Sequence, residues 1–304
     1  MIQRGLAVIL VVGLVAAAIW GPIPIPRTIG LGDFRAYWSA AFLLAHSENF
    51  TDADNLFEVE RTETGWQRDF VVSTWNPPWL LALLLPYTLV SFTRAIWLWL
   101  LTNFLLIFVG SVLVWRTAAQ TEYSKKLSVF APVIGLFFLP TLAALHMGQV
   151  NTLVFFGLAL YLFFDEQKRP FSAGMGLALT LIKPHLVYIT VPLLLLNALR
   201  KREWSLFWGM AAALGGLSLI VFVLRSSFLS DYMTTVSSTP LLAWQTPTVG
   251  GYLAATLGWE WAKLMGVVIL PAAIGLWWRQ RDRIDTLTLV AASLLLSLPT
   301  APFG

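Results

Sequence analysis

The chain is 304 residues long, 58% hydrophobic and 12% charged, with a mean hydropathy of +0.73. A soluble domain carries about 25% charged residues, so a soluble enzyme is excluded and a stack of bilayer spans is indicated. The net charge of +4 reads as cations on short inner loops, not as a nucleic-acid surface; the absence of cysteine excludes a disulfide framework, a zinc knuckle and a thiol nucleophile.

Residues 5–20 form an apolar run preceded by Arg4, and Ala16-Ala17-Ala18 imitate a cleavage site. The stiff exit Gly21-Pro22-Ile23-Pro24-Ile25-Pro26 argues for an uncleaved first helix that enters from the cytoplasm. The loop over about 21–75 holds eight acids and four cations, the balance of an outer loop, since cations mark the inner face. Within it, residues 34–45 carry an apolar stripe at helical spacing. An interfacial helix is predicted there, with Asp33 as its N-cap.

Residues 77–90 are apolar but number only 14, short of the roughly 20 that a crossing helix needs. This run is predicted to dip without crossing. A full helix follows over 93–115, then a basic turn over 116–126. Further apolar runs occupy 127–145, 152–164, 171–182, 186–199, 204–224, 261–278 and 286–298. A second long loop lies over about 225–259. The fold class expected is all-α, a polytopic membrane bundle forming a single transmembrane domain over 1–304.

Placing the basic turns at 116–126, 165–170, 200–203 and 279–283 inside leaves four polar stretches on the outer side. These are 146–151, 183–185, the 225–259 loop and the C-terminal tail, and they join the loop that carries Asp33. Polar groups from distant parts of the chain are thus expected to meet at one membrane surface.

Asp33 is either a helix cap or a general base that takes a proton from an acceptor hydroxyl. Tyr37, one turn on, is placed to line the same pocket. Lys183-Pro184-His185 interrupts an apolar stretch; its lysine either snorkels to the interface or holds a phosphate whose charge grows as it leaves. His146 and Gly148-Gln149-Val150-Asn151 form a simple turn, or they present Gln149 and Asn151 to sugar hydroxyls or phosphate oxygens. Asp52-Ala53-Asp54 has the DxD pattern of metal-holding nucleotide-sugar enzymes, but in an acidic loop it reads as a turn. No His/Glu cluster, P-loop or GxGxxG accompanies it.

Asp33-Phe34 with Tyr37-Trp38, then Asn76-Pro77-Pro78, Gly148-Gln149 with Asn151, and Gly176-Leu177-Ala178 with Lys183-Pro184 occur in the order that resembles glycosyltransferase family 87. The similarity runs over about residues 30–300. It implies a GT-C-like helical bundle that moves a sugar, typically mannose, from a polyprenyl-phosphate carrier to a lipid or glycan acceptor outside the cell membrane. It further implies inversion at the anomeric carbon, Asp33 as the catalytic base, and no metal or other cofactor. Lys183, His185 and His146 would then face the phosphate. Family members continue through further spans, so the chain is expected to be shortened at its C-terminal end. The alternative is a polytopic transporter or flippase of a lipid-linked or small polar substrate.

Overall fold

A computed structural model describes residues 32–238 and 248–301. The predicted first helix over 5–20, its exit over 21–26 and residues 302–304 of the tail lie outside the described residues. Among the described residues every regular element is helical. In chain order these are α1 Asp33–Ala45, α2 Ala53–Thr62, α3 Trp79–Leu84, α4 Phe92–Ala118, α5 Glu122–Lys126, α6 Ala131–Phe137, α7 Leu139–Met147 and α8 Asn151–Glu166. After them come α9 Pro170–Thr180, α10 Thr190–Lys201, α11 Trp204–Leu224, α12 Phe228–Ser238, α13 Val249–Leu257, α14 Gly266–Gln280 and α15 Thr286–Thr300.

Three stretches, Phe92–Ala118, Trp204–Leu224 and Glu260–Gln280, are long and apolar enough to cross a membrane. At about 1.5 Å per residue, α4 alone reaches about 40 Å, more than the hydrocarbon core of roughly 30 Å. Large apolar side chains on these helices point outward, among them Trp208, Val223, Val267 and Val268. In water such exposure would be costly; against lipid tails it is the ordinary state of a span. The fold is therefore that of an all-α membrane protein.

The chain divides into two compact units: Met1–Phe156 with Leu214–Thr235, and Gly157–Ala213 with Val236–Gly304. In the first unit, α1 is nearly enclosed. The predicted stripe called for one buried face, yet Phe34, Arg35, Ala36, Tyr37, Trp38, Ser39, Ala40, Ala41, Leu43 and Leu44 are all buried. The reason is that α2, α3 and the 3-10 turn Leu85–Leu89 pack on it from several sides. Helix α3 and that turn together cover Trp79–Leu89, an apolar stretch shorter than the roughly 20 residues of a straight crossing helix.

The single span expected over 127–145 is broken. A 3-10 turn, Leu127–Val129, leads into α6, and Phe138 is extended (φ −66°, ψ 122°) before α7 restarts. Pro140 is the physical cause: it has no N–H to donate and its ring crowds the preceding turn, so it is tolerated only in the first turn of a new helix. The 225–259 stretch, read from sequence as a loop, contains α12 and α13.

In the second unit, helices cross where side chains are absent. A Cβ on Gly157 would lie 2.7 Å from the Gly176 carbonyl oxygen, and one on Gly176 would lie 2.8 Å from the Leu160 Cβ. Helices α8 and α9 can approach this closely only because both positions are glycine. Helices α10 and α15 pack through a polar seam: the Ser293 hydroxyl donates to Thr190 Oγ1 (3.0 Å) and the Ile189 amide to Ser297 Oγ (3.3 Å).

Candidate active site

Asp33 opens α1, but as the first helical residue and not as the cap. Gly32 holds the N-cap position, which corrects the capping assignment read from the sequence. Asp33 is half-buried, and its carboxylate in the first turn is favoured by the helix dipole. Tyr37 lies one turn further and is buried. Burial first, and the Asp33 charge second, push the Tyr37 phenol well above its ordinary value. It therefore stays protonated at physiological pH.

The helix is held in register by aromatic packing. The Phe34 ring stacks on Trp99 of α4 (centroids 5.3 Å apart, planes 9° apart) and on Phe92 (6.1 Å). Trp38 donates from Nε1 to the Tyr87 carbonyl at 3.0 Å. Trp99 in turn donates from Nε1 to the Gly148 carbonyl at 3.0 Å. One indole thus grips the helix that carries Asp33 and the turn that carries Gln149 and Asn151. The juxtaposition is close, since a Cβ on Gly32 would sit 3.4 Å from the Met147 carbonyl oxygen.

That turn is shaped by Gly148, which closes α7 in the left-handed region (φ +70°). Its conformation lets the Gln149 amide donate back to the Ala144 carbonyl (2.9 Å), after which Asn151 starts α8. Asn151 donates from Nδ2 to Gln149 Oε1 at 2.7 Å, so the two amides act as a unit. The Asn151 Oδ1 is buried without a hydrogen-bond partner. A buried acceptor in that state is costly and is relieved by a donor such as a hydroxyl. Behind it, Asn103 donates to the Trp99 carbonyl (2.7 Å) and accepts from the Thr152 hydroxyl, which ties the first turn of α8 to α4. His146 lies on the last turn of α7 and is exposed.

Lys183 and His185 fall in the second unit, just past the end of α9. Lys183 is buried, and Pro184 starts a 3-10 turn, Pro184–Val187. Burial, and then the Lys183 charge, lower His185 to about 4. His185 is therefore neutral at physiological pH: the cation of this pair is Lys183, and the imidazole offers a hydrogen bond instead of a charge. Asp33, Tyr37, His146, Gln149 and Asn151 all belong to the first unit.

Asp52 is the N-cap of α2, where its Oδ1 accepts from the Asp54 (3.1 Å) and Asn55 (3.0 Å) amides. The DxD thus spends a carboxylate on capping and opens a helix, where the sequence reading had a turn. Trp99, Arg35 and Glu60 escaped the sequence reading. Trp99 lies inside an apolar run of a chain with fifteen tryptophans, Glu60 is one acid among eight and Arg35 one cation among four over residues 21–75, so none of the three stood out.

A family model, glycosyltransferase family 87, matches residues 74–301. No curated protein and no solved structure matches the chain significantly.

Proposed function

The chain belongs to glycosyltransferase family 87 and is a membrane glycosyltransferase; we propose that it moves mannose from a polyprenyl-phosphate carrier to the hydroxyl of a lipid or glycan acceptor. The reaction is a single displacement. The acceptor O–H gives its proton to the Asp33 carboxylate as its oxygen bonds to the anomeric carbon. The bond from that carbon to the phosphate oxygen breaks, and the carrier leaves as polyprenyl phosphate. Attack opposite the leaving group inverts the anomeric configuration.

The observation that best supports this reading is the grip of Trp99 on both Phe34 and Gly148. It brings the candidate base beside a turn whose buried Asn151 oxygen calls for a hydroxyl donor. Tyr37, Gln149 and Asn151 are assigned to sugar and acceptor hydroxyls. Lys183 is assigned to the phosphate charge, with His185 as a neutral hydrogen-bonding neighbour and His146 at the exposed margin. No metal or other cofactor enters the mechanism.

We place the site on the extracytoplasmic face of a multi-pass cell-membrane protein, with residues 1–304 acting as one transmembrane domain. The cations of the turns over 116–126 and 165–170 support that orientation, because cations favour the inner face. Reporter fusions in those turns test it: a cytoplasmic signal is expected, and an external one from either turn contradicts it.

The activity is tested by incubating the purified full chain in vesicles with radiolabelled polyprenyl-phosphate mannose and a hydroxylic glycolipid acceptor. Label in the acceptor is the expected result. Movement of the carrier across the bilayer without transfer would indicate a flippase and overturn the proposal.

A further inference from the structure

The Asp33 helix carries a second polar cluster that the proposed reaction does not use. Arg35, two residues after Asp33, is buried, and its guanidinium sits over the Trp66 ring (4.8 Å) and the Phe92 ring (5.1 Å). It donates to the Thr64 carbonyl (2.8 Å) and to the Thr64 hydroxyl. Glu60, on α2, has no exposed surface. Its carboxylate oxygens accept from the Val72 amide at 3.2 and 3.1 Å, and its carbonyl accepts from the Trp66 amide at 2.9 Å. The segment over 63–74 is thus tied at Thr64, Trp66 and Val72 to two buried charged residues. Its middle is open to water, with Gln67, Arg68, Asp69 and Phe70 exposed. It runs directly into Trp75-Asn76-Pro77-Pro78.

We infer that Glu60 and Arg35 form a latch that holds the 63–74 segment against the helix carrying Asp33, and that release of this latch weakens acceptor binding without altering the chemical step. Glu60 is in this sense a positioning residue. The acceptor is the substrate assigned because it is the hydroxylic partner that arrives from water, and the exposed middle of the segment is polar, with Gln67, Arg68 and Asp69. The effect on catalysis rests on Asp33 being the base; the latch itself does not.

Proton linkage gives the latch a direction. Burial, opposed by the Val72 amide and by Arg35, raises the Glu60 carboxyl from 4.5 to about 7. The charged group that faces it from a packed element is Arg35; Arg61, Glu63, Arg68 and Asp69 are exposed. An opened segment would return Glu60 to water and to its ordinary value. The closed form therefore binds a proton more tightly, and acid favours closure while alkali favours opening. Between pH 5 and 8 the closed-to-open ratio should fall by tens of fold.

Hydrogen exchange at the Trp66 and Val72 amides, corrected for intrinsic rates, reads the latch directly in the full chain. Protection is expected to fall through about pH 7 in the wild type and to be flat with pH in Glu60→Gln. A flat wild-type profile overturns the inference, and so does an unchanged slope in the variant. If Glu60→Gln does not accumulate, the wild-type titration alone decides. In transfer assays the acceptor KM should rise with pH over the same range while kcat holds; a kcat change at constant KM contradicts a positioning role. Absence of transfer at every pH would remove the Asp33 reading and leave the exchange profile to judge the latch.

Discussion

The indole of Trp99 donates to the Gly148 carbonyl at 3.0 Å while its face lies against Phe34, so a single α4 side chain sets the spacing between two sequence motifs. Trp99→Phe keeps a ring for stacking but removes the donor. A buried carbonyl left without its partner costs roughly 1–3 kcal/mol. We expect a lower unfolding temperature in detergent and a fall in kcat, because the turn bearing Gln149 and Asn151 loses its anchor. Unchanged kcat in a destabilised variant would show that the anchor serves folding alone.

Asp52 gives a test of the cap against a metal role. Asp52→Ala removes the acceptor for two α2 amides and should cost about 1 kcal/mol of stability. Asp54→Ala should be nearly neutral, and both variants should keep the wild-type kcat. Transfer by the wild type should survive chelation with EDTA. Loss of activity in either variant that added manganese restores would establish the metal role instead.

The pH dependence of stability separates the two buried titrating groups. The folded chain holds His185 at about 4, whereas an unfolded imidazole titrates near 6.5. Between those values the unfolded chain takes up a proton that the folded chain refuses, so His185 makes the protein lose stability as pH falls from 6.5. Glu60 acts in the opposite sense, because its raised folded value makes stability fall as pH rises from 4.5 to about 7. Unfolding temperatures measured from pH 4.5 to 7.5 should show a shallower acid loss in His185→Gln and a shallower alkaline loss in Glu60→Gln. A wild-type slope in either variant would show that the group does not titrate as its surroundings require.

Much of this architecture was legible in the sequence. The 204–224 run is bounded by Glu203 and Arg225, and its helix, Trp204–Leu224, matches it end to end. Lys183 stood out because a cation is expensive among apolar residues. Other features depend on tertiary packing that periodicity cannot see. Pro140 lies within an unbroken apolar run, and hydropathy does not register its missing N–H. The stripe on residues 34–45 predicts one covered face, whereas α2, α3 and the Leu85–Leu89 turn also cover the rest. Asp33 looked like a cap because Asp favours that position, but Gly32 occupies it. Glu60 looked solvated because its burial comes from the fold of the whole segment around it.

The proposed transfer depends most directly on the Asp33 carboxylate, and the kinetics of Asp33→Asn test it. The substitution keeps the size of the side chain and removes its basicity. With labelled polyprenyl-phosphate mannose and a hydroxylic acceptor, kcat should fall on the order of 10²–10⁴-fold while donor binding and expression stay as in the wild type. Transfer by Asp33→Asn at the wild-type rate would contradict the assignment of Asp33 as the base.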